Sequence, residues 1–301
     1  MNYARLLSHF LWLEAKRITY GLKYFAEIDV TDNCNLRCRH CYHFHGKAEF
    51  KTQELPLSVW EKRFRDLHKS GVRAVLLVGG EPALRPDVLM LADQTFPIVY
   101  VITNGTIKVP DAFKHRLFLS VDGSPETNDA IRGKNSFSRL MDNYSGDSRA
   151  IINMTLTASN YPELEQVVEI SEANGFDGVV CNICSGNIDC DANMMVTDRA
   201  EIIAEMRRVK ALHKKSFLMT EGMIRWYEKP NHAASCAWGT DTLHLDVLWK
   251  RRRCFTNNAD CSNCGCFAGS LQTPLKMLKN LLTMIKIAAP NCQKIQTVGK
   301  A

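Results

Sequence analysis

The sequence predicts an α/β protein built from about six βα units around a parallel sheet. Two observations carry that prediction. Apolar runs of strand length alternate with helical patterns, and glycine-rich or polar punctuation gathers just after the runs rather than before them. A barrel and an open doubly wound sheet both fit this order.

Tyr24 to Val30 reads as the first strand, and it delivers a cysteine-rich loop at its C-terminal end. Ser58-Val-Trp-Glu61 has the form of a capping box opening a helix that Gly71 can close. The next strands are Ala74 to Val78, Ile98 to Ile102, Leu117 to Val121, Ile151 to Leu156 and Gly178 to Ile183, with helices such as Glu163 to Ala173 and Asp198 to His213 among them. Each strand is short and largely apolar, as strands buried on both faces are.

Composition narrows the class. A chain of 301 residues with 46% hydrophobic content can bury a large core as one domain, or one domain with an appendage. The formal charge of +6 is spread among interleaved acids, which gives nucleic acid binding no support. No run is long and apolar enough to span a membrane, and Met1 to Arg17 carries Arg5, Glu14, Lys16 and Arg17 without a small-residue cleavage site, so a cytoplasmic protein is expected. In that reducing compartment the 12 cysteines read as metal ligands before disulfides.

The most telling cysteines are Cys34, Cys38 and Cys41, spaced C-x3-C-x2-C. Three thiolates in one loop can hold three irons of a cubane and leave the fourth to another ligand, or to a distant residue. Later strands end in Gly79-Gly-Glu-Pro82, Thr103-Asn-Gly105 and Ser120-Val-Asp-Gly123. Loops after parallel strands build active sites, so four successive strands aim chemistry at one rim. The glycine pair lets backbone approach a ligand closely, Glu81 can accept from an ammonium group, and Ser120 and Asp122 can bind ribose hydroxyls. Each fragment alone is an ordinary turn; their conjunction is the signal.

Together with Tyr42, Asp129-Ala-Ile-Arg-Gly133 and Phe137, these motifs resemble the radical S-adenosylmethionine (SAM) superfamily over roughly residues 24 to 190, and most of all its members with a C-terminal SPASM or shortened "twitch" domain. The resemblance implies a partial (β/α)6 TIM-type barrel with a small cysteine-rich C-terminal domain, and a 4Fe-4S cluster on Cys34, Cys38 and Cys41 with SAM on the fourth iron. It implies that Gly79, Gly80, Glu81 and Pro82 meet the methionine amino group and that Asn104 joins the same rim. Ser120 and Asp122 would meet the ribose, and Asn153 or Arg132 would lie near the carboxylate. His40 occupies the place of an aromatic residue near the adenine. The family's glycine-rich pattern on the fifth strand is not evident in Asn153 to Asn160. An organic substrate and a reductant such as flavodoxin or ferredoxin complete the expectation.

Cys236, followed by Cys254 after a potential hairpin, resembles the opening of a SPASM-type domain, and Cys261, Cys264 and Cys266 supply further ligands. One auxiliary 4Fe-4S cluster on Cys236, Cys254, Cys261 and Cys264 is the economical reading, with Cys266 competing for one place and structural zinc as the alternative. The hairpin glycine usual in the family is missing from Asp246 to Cys254. Cys181, Cys184 and Cys190 read as core residues before ligands, Cys292 as inert, and His43 and His45 as solvent-facing. After Asp260 there is no acidic residue, and Leu275 to Ile287 forms a basic amphipathic pattern. With Leu6 to Leu13 it could pack on the barrel, or touch a membrane surface or a lipid substrate.

The expected domains are a helical extension (1–22), the barrel (23–215), the auxiliary cluster domain (216–270) and a basic tail (271–301). The expected function is hydrogen abstraction by a 5'-deoxyadenosyl radical from a peptide, a natural-product or cofactor precursor, or a lipid. Adenosyl transfer to a lipid double bond and a non-catalytic iron-sulfur or zinc module are the alternatives.

Overall fold

A computed structural model describes residues 23–44, 54–184, 192–229, 231–255 and 261–270, with Ser8, Trp12, Ala15 and Ile287 as single helical positions. The expected helical extension, His45, Cys190, Cys292 and the basic tail otherwise lie outside the described residues.

Strands β1 (Phe25–Thr31), β2 (Ala74–Gly79), β3 (Ile98–Thr103), β4 (Arg116–Ser120), β5 (Ala150–Leu156) and β6 (Val179–Ile183) pair in sequence order, every pair parallel. Helices α1 (Leu57–Lys69), α2 (Pro86–Thr95), α3 (Pro125–Arg132), α4 (Ser136–Tyr144) and α5 (Leu164–Ala173) fall between them, and α6 (Ala200–Leu212) follows β6. The order of β1 to β6 runs without the reversal of a doubly wound sheet, and the sheet does not close on itself, so of the two architectures that alternation allows this is the barrel type, in partial form. Each strand begins within about two residues of its expected position.

Burial separates the two faces of the sheet. On β3, Val99 and Val101 are buried while Ile98, Tyr100 and Ile102 are half-buried, so one face meets the helices and the other an accessible interior. Trp60 and Phe64 of α1 and Val88, Leu89 and Ala92 of α2 fill the helix side. Helix α1 starts two residues earlier than the capping-box reading: Pro56 is the N-cap and no side-chain hydrogen bond caps it, which places Ser58 inside the first turn. Gly71 does close it, at φ +108°.

The C-terminal region extends the sheet. Helices α7 (Glu221–Trp226) and α8 (Ala237–Asp241) lead to β7 (Leu243–Leu245), which pairs in parallel with β1, and β8 (Arg251–Arg252) returns antiparallel to it. The hairpin exists without its glycine. Trp249 takes the left-handed turn position at φ +65°, and the Asp246 carboxylate accepts from the backbone N–H of Leu248 (2.9 Å) and Lys250 (2.8 Å). The other edge is covered as well: Leu218 N donates to Val179 O and Ile183 N to Gly265 O, both at 2.8 Å. The described residues of the 216–270 segment therefore lie along both edges of the sheet. No helix among the described residues is long and apolar enough to cross a membrane.

Candidate functional site at the strand C-termini

The cysteine loop leaves β1 and is bolted to the end of β2. Gly80 N donates to Thr31 O and Glu81 N to Asn33 O, both at 2.8 Å. The two glycines serve this contact. A Cβ on Gly79, whose φ is +119°, would meet Thr31 O at 2.5 Å, and one on Gly80 would meet Asn33 O at 2.1 Å. The close approach expected toward a ligand is thus made first toward the loop itself.

Glu81 holds the next strand end. Its carboxylate accepts from Ala83 N (2.8 Å), Thr103 Oγ1 (2.6 Å) and Asn104 N (2.7 Å), and it is buried. Burial pushes its carboxyl up, against those hydrogen bonds. Three of about four acceptor positions are therefore met internally, which leaves about one for a ligand ammonium. Asn104 in turn donates to Asn35 Oδ1 (2.9 Å) and faces Cys34 Sγ at 3.8 Å.

The other side of the loop rests on α3. Arg39 N donates to Ile131 O at 2.9 Å, and Arg132 Nη1 lies 4.0 Å from Cys38 Sγ. Asp129 sets that approach: its carboxylate captures Asn135 N, Ser136 Oγ and Phe137 N, turning the chain sharply after Arg132. Asp122 sits beneath, fully buried, with Oδ2 at 2.6 Å from both Arg132 Nε and His40 Nε2, and Oδ1 accepting from Thr155 N at 2.8 Å. Burial alone would raise its carboxyl; Arg132 and His40 outweigh that and hold it well below the usual carboxylate range. Asp122 thus joins His40 and Arg132 in one buried charged cluster beside the cysteine loop. Ser120 lies in register with Asn153, whose Oδ1 accepts from Asn182 Nδ2 at 3.1 Å.

The thiols fit a cluster by their surroundings. Cys34 Sγ accepts from Leu36 N (3.4 Å) beside Asn104, Cys38 faces Arg132, and burial pushes the Cys38 thiol up to about 11, so binding a metal must displace its proton. His43 corrects its expected exposure: it is buried, with Nε2 at 3.0 Å from Asp32 Oδ1.

Sequence reasoning missed a polar wall on β1. Glu27 and Asp29 alternate with Ala26, Ile28 and Val30, and all five are buried. Arg252 of β8 grips Asp29, and Glu27 Oε1 lies 3.4 Å from His244 Nδ1 and 3.9 Å from Arg252 Nη2. The available signal was two acids at alternate positions in an otherwise apolar strand.

Cys236, Cys254, Cys261, Cys264 and Cys266 gather at the second site. Cys236 N donates to His232 O and His232 N to Cys261 O, at 3.0 and 2.9 Å. Burial is the main cause that pushes the Cys254 and Cys266 thiols up, with the Glu27 carboxylate next at Cys254 and neighbouring cysteines of this group adding at both. Gly269 leaves room for it, since a Cβ there would sit 2.9 Å from Cys236 Sγ. Among the described residues, three ligand atoms come within 4.8 Å of one another only at Glu165, Glu169 and His213, so the sulfurs of both cysteine groups are spread wider. Cys181, by contrast, is a fully buried strand residue of the core.

Residues 28–145 match the profile described as the Radical SAM superfamily. These residues are a radical SAM domain. Two curated relatives match about half of the chain. The pre-heme d1 synthase of Dinoroseobacter shibae is 29% identical over 50% of this chain and 40% of its own. The sporulation killing factor maturation protein SkfB of Bacillus subtilis is 31% identical over 47% of this chain and 38% of its own. The chain thus spans less than half the length of these relatives in the aligned part. In fold, the radical SAM domain and its C-terminal extension resemble SuiB of Streptococcus suis, solved with S-adenosylmethionine (TM-score 0.63, 15% identity, 88% of this chain and 70% of SuiB) and with precursor peptide SuiA (TM-score 0.62, 15% identity, 100% and 79%).

Proposed function

We propose that this chain is an enzyme that cleaves S-adenosylmethionine reductively and abstracts hydrogen from a substrate, a peptide in the first instance, with an auxiliary 4Fe-4S cluster on its C-terminal cysteines. The observation that carries this is the docking of the Cys34–Cys41 loop within a radical SAM domain, with side-chain donors at two of its sulfurs. When bound, a reduced 4Fe-4S cluster supplies the electron that splits the sulfonium of S-adenosylmethionine and so yields a 5'-deoxyadenosyl radical.

The chain's own part is placement. Cys34, Cys38 and Cys41 would ligate three irons. The Gly79–Pro82 backbone would present carbonyls to the methionine amino group, with Ser120 and Asn153 as the polar groups of the facing wall. Asp122 would act through Arg132 rather than by touching the cosubstrate. The half-buried Tyr100, Ile102, Asn153 and Asn182 line an interior that could take the substrate. A peptide is favoured because SkfB is named for maturing a killing factor and SuiB was solved with a precursor peptide. At the second site, Cys236, Cys254, Cys261 and Cys264 are the proposed ligands, with Cys266 as the competitor.

Anaerobic reconstitution tests this, with iron, sulfide and the deoxyadenosine formed under dithionite all measured. About eight irons per chain fit two cubanes, and about four leave the second site to zinc or to nothing. Cys38→Ala should abolish deoxyadenosine formation. A fully loaded protein that cleaves no S-adenosylmethionine would sink the proposal.

A further inference from the structure

Each cysteine group has a buried arginine beside it, and the two arginines differ in one respect. Arg132, beside Cys38, has the carboxylate of Asp122 at 2.6 Å. Arg199, which caps α6 and is only 7% exposed, is held among the described residues by backbone and amide oxygens. Its Nη1 donates to Cys264 O (2.8 Å), and its Nη2 donates to Asn263 O (3.0 Å) and Asn263 Oδ1 (2.6 Å). No carboxylate among the described residues forms an ion pair with it. Burial pulls its pKa down, and the groups that pull it back are Tyr227 and Cys264.

Carbonyl dipoles satisfy the N–H groups of a guanidinium and leave its charge in place, and a buried charge without a counter-charge is strongly unfavourable. The missing negative charge has an obvious source in the cysteines that Arg199 touches through their own turn. Thiolates bound to a metal centre carry it, and protonated thiols do not.

We infer that Arg199 is the counter-charge and positioning residue of the C-terminal cysteine site, and that the centre this site takes is anionic. The inference rests on the proposal that these cysteines bind a metal cluster. It adds a consequence for that cluster's redox behaviour. One-electron reduction adds a negative charge next to a fixed cation, so Arg199 raises the reduction potential and makes the centre a better electron acceptor.

The test uses the full chain with Cys34, Cys38 and Cys41 replaced by alanine, so that only the second site can load, and compares Arg199 with Arg199→Lys and Arg199→Gln. Metal and sulfide analysis of the parent comes first. Zinc in place of iron and sulfide ends the cluster reading but leaves the counter-charge inference standing. Binding of neither overturns both. Melting temperatures of the metal-free and loaded forms then separate charge from hydrogen bonding. Arg199→Gln should lower the loaded form more than the metal-free form, and Arg199→Lys, which keeps the charge and loses the two-armed grip, should restore most of that difference. With a cluster present, Arg199→Gln should make reduction about tenfold less favourable, a shift of about 59 mV for one electron. Equal loss in both forms, or a cluster in Arg199→Gln that titrates at the parent potential, overturns the inference. If Arg199→Gln does not load, a metal-free melting temperature like the parent's supports it, and one well below the parent's counts against it.

Discussion

Asp29 and Arg252, 223 residues apart in sequence, meet inside the barrel in a two-point ion pair, with Nη1 to Oδ2 at 2.6 Å and Nη2 to Oδ1 at 2.5 Å. Removing one partner strands the other charge in the interior. Asp29→Asn and Arg252→Met should each cost about 3–5 kcal/mol in urea unfolding of the metal-free protein, and the double change Asp29→Leu with Arg252→Met should recover most of it. A double variant as weak as the sum of the singles would show that the pair does not act as a unit.

Gly80→Ala should separate folding from cluster loading. The new methyl would press on Asn33 O, one residue before Cys34. Far-UV circular dichroism should keep its α/β form while iron per chain after reconstitution falls sharply. Strain of about 1–3 kcal/mol, typical of a forced backbone, is within what a large barrel can absorb.

Acid should weaken the site through Asp122. Its carboxyl is held below the ordinary value of 3.8 in the folded protein. A group with a depressed folded pKa contributes stability that is fully present above its unfolded pKa and lost as pH falls toward the folded one. Urea midpoints of the metal-free chain should therefore drop as pH falls below about 4, and Asp122→Asn should show a lower midpoint near neutrality with a shallower acid decline. An unchanged acid decline in that variant would assign the effect to other carboxylates.

Trp249→Gly should destabilise, although glycine suits the left-handed turn better. The indole packs edge-on to Trp60 at 5.4 Å and lies under Arg63, with Cζ 5.1 Å from the ring centroid. Losing it should cost about 3–5 kcal/mol against about 1 kcal/mol gained in the turn. Thermal melting decides the sign.

Cys181→Ser should leave the iron content of the reconstituted chain unchanged and lower its stability by about 1–3 kcal/mol, because a hydroxyl replaces a thiol in a dry strand. Loss of iron would return Cys181 to the ligands.

The strands were legible because each is an apolar run closed by glycine or polar residues, and the rim motifs followed from where those runs end. What local reading could not supply was the use of each polar side chain. Glu81, Asp122 and His40 stand where ligand contacts were expected, yet their partners are Thr103, Arg132 and each other, and those pairings depend on strands brought together by the fold. The hairpin at Trp249 was obscured for a similar reason. A tryptophan occupies a glycine's conformation because tertiary packing on Trp60 outweighs local preference.

The β7 pairing has a consequence for how the chain is made. The β1 strand leaves the ribosome well before the segment that covers its outer edge, which lies more than two hundred residues later, as the 223-residue separation of Asp29 from Arg252 records. At about 5–20 residues per second, that edge waits on the order of ten seconds or more with its backbone donors unpaired and two acids pointing into an unfinished barrel. Those acids make the exposed strand a poor template for stray pairing during the wait, before Arg252 arrives to neutralise one of them.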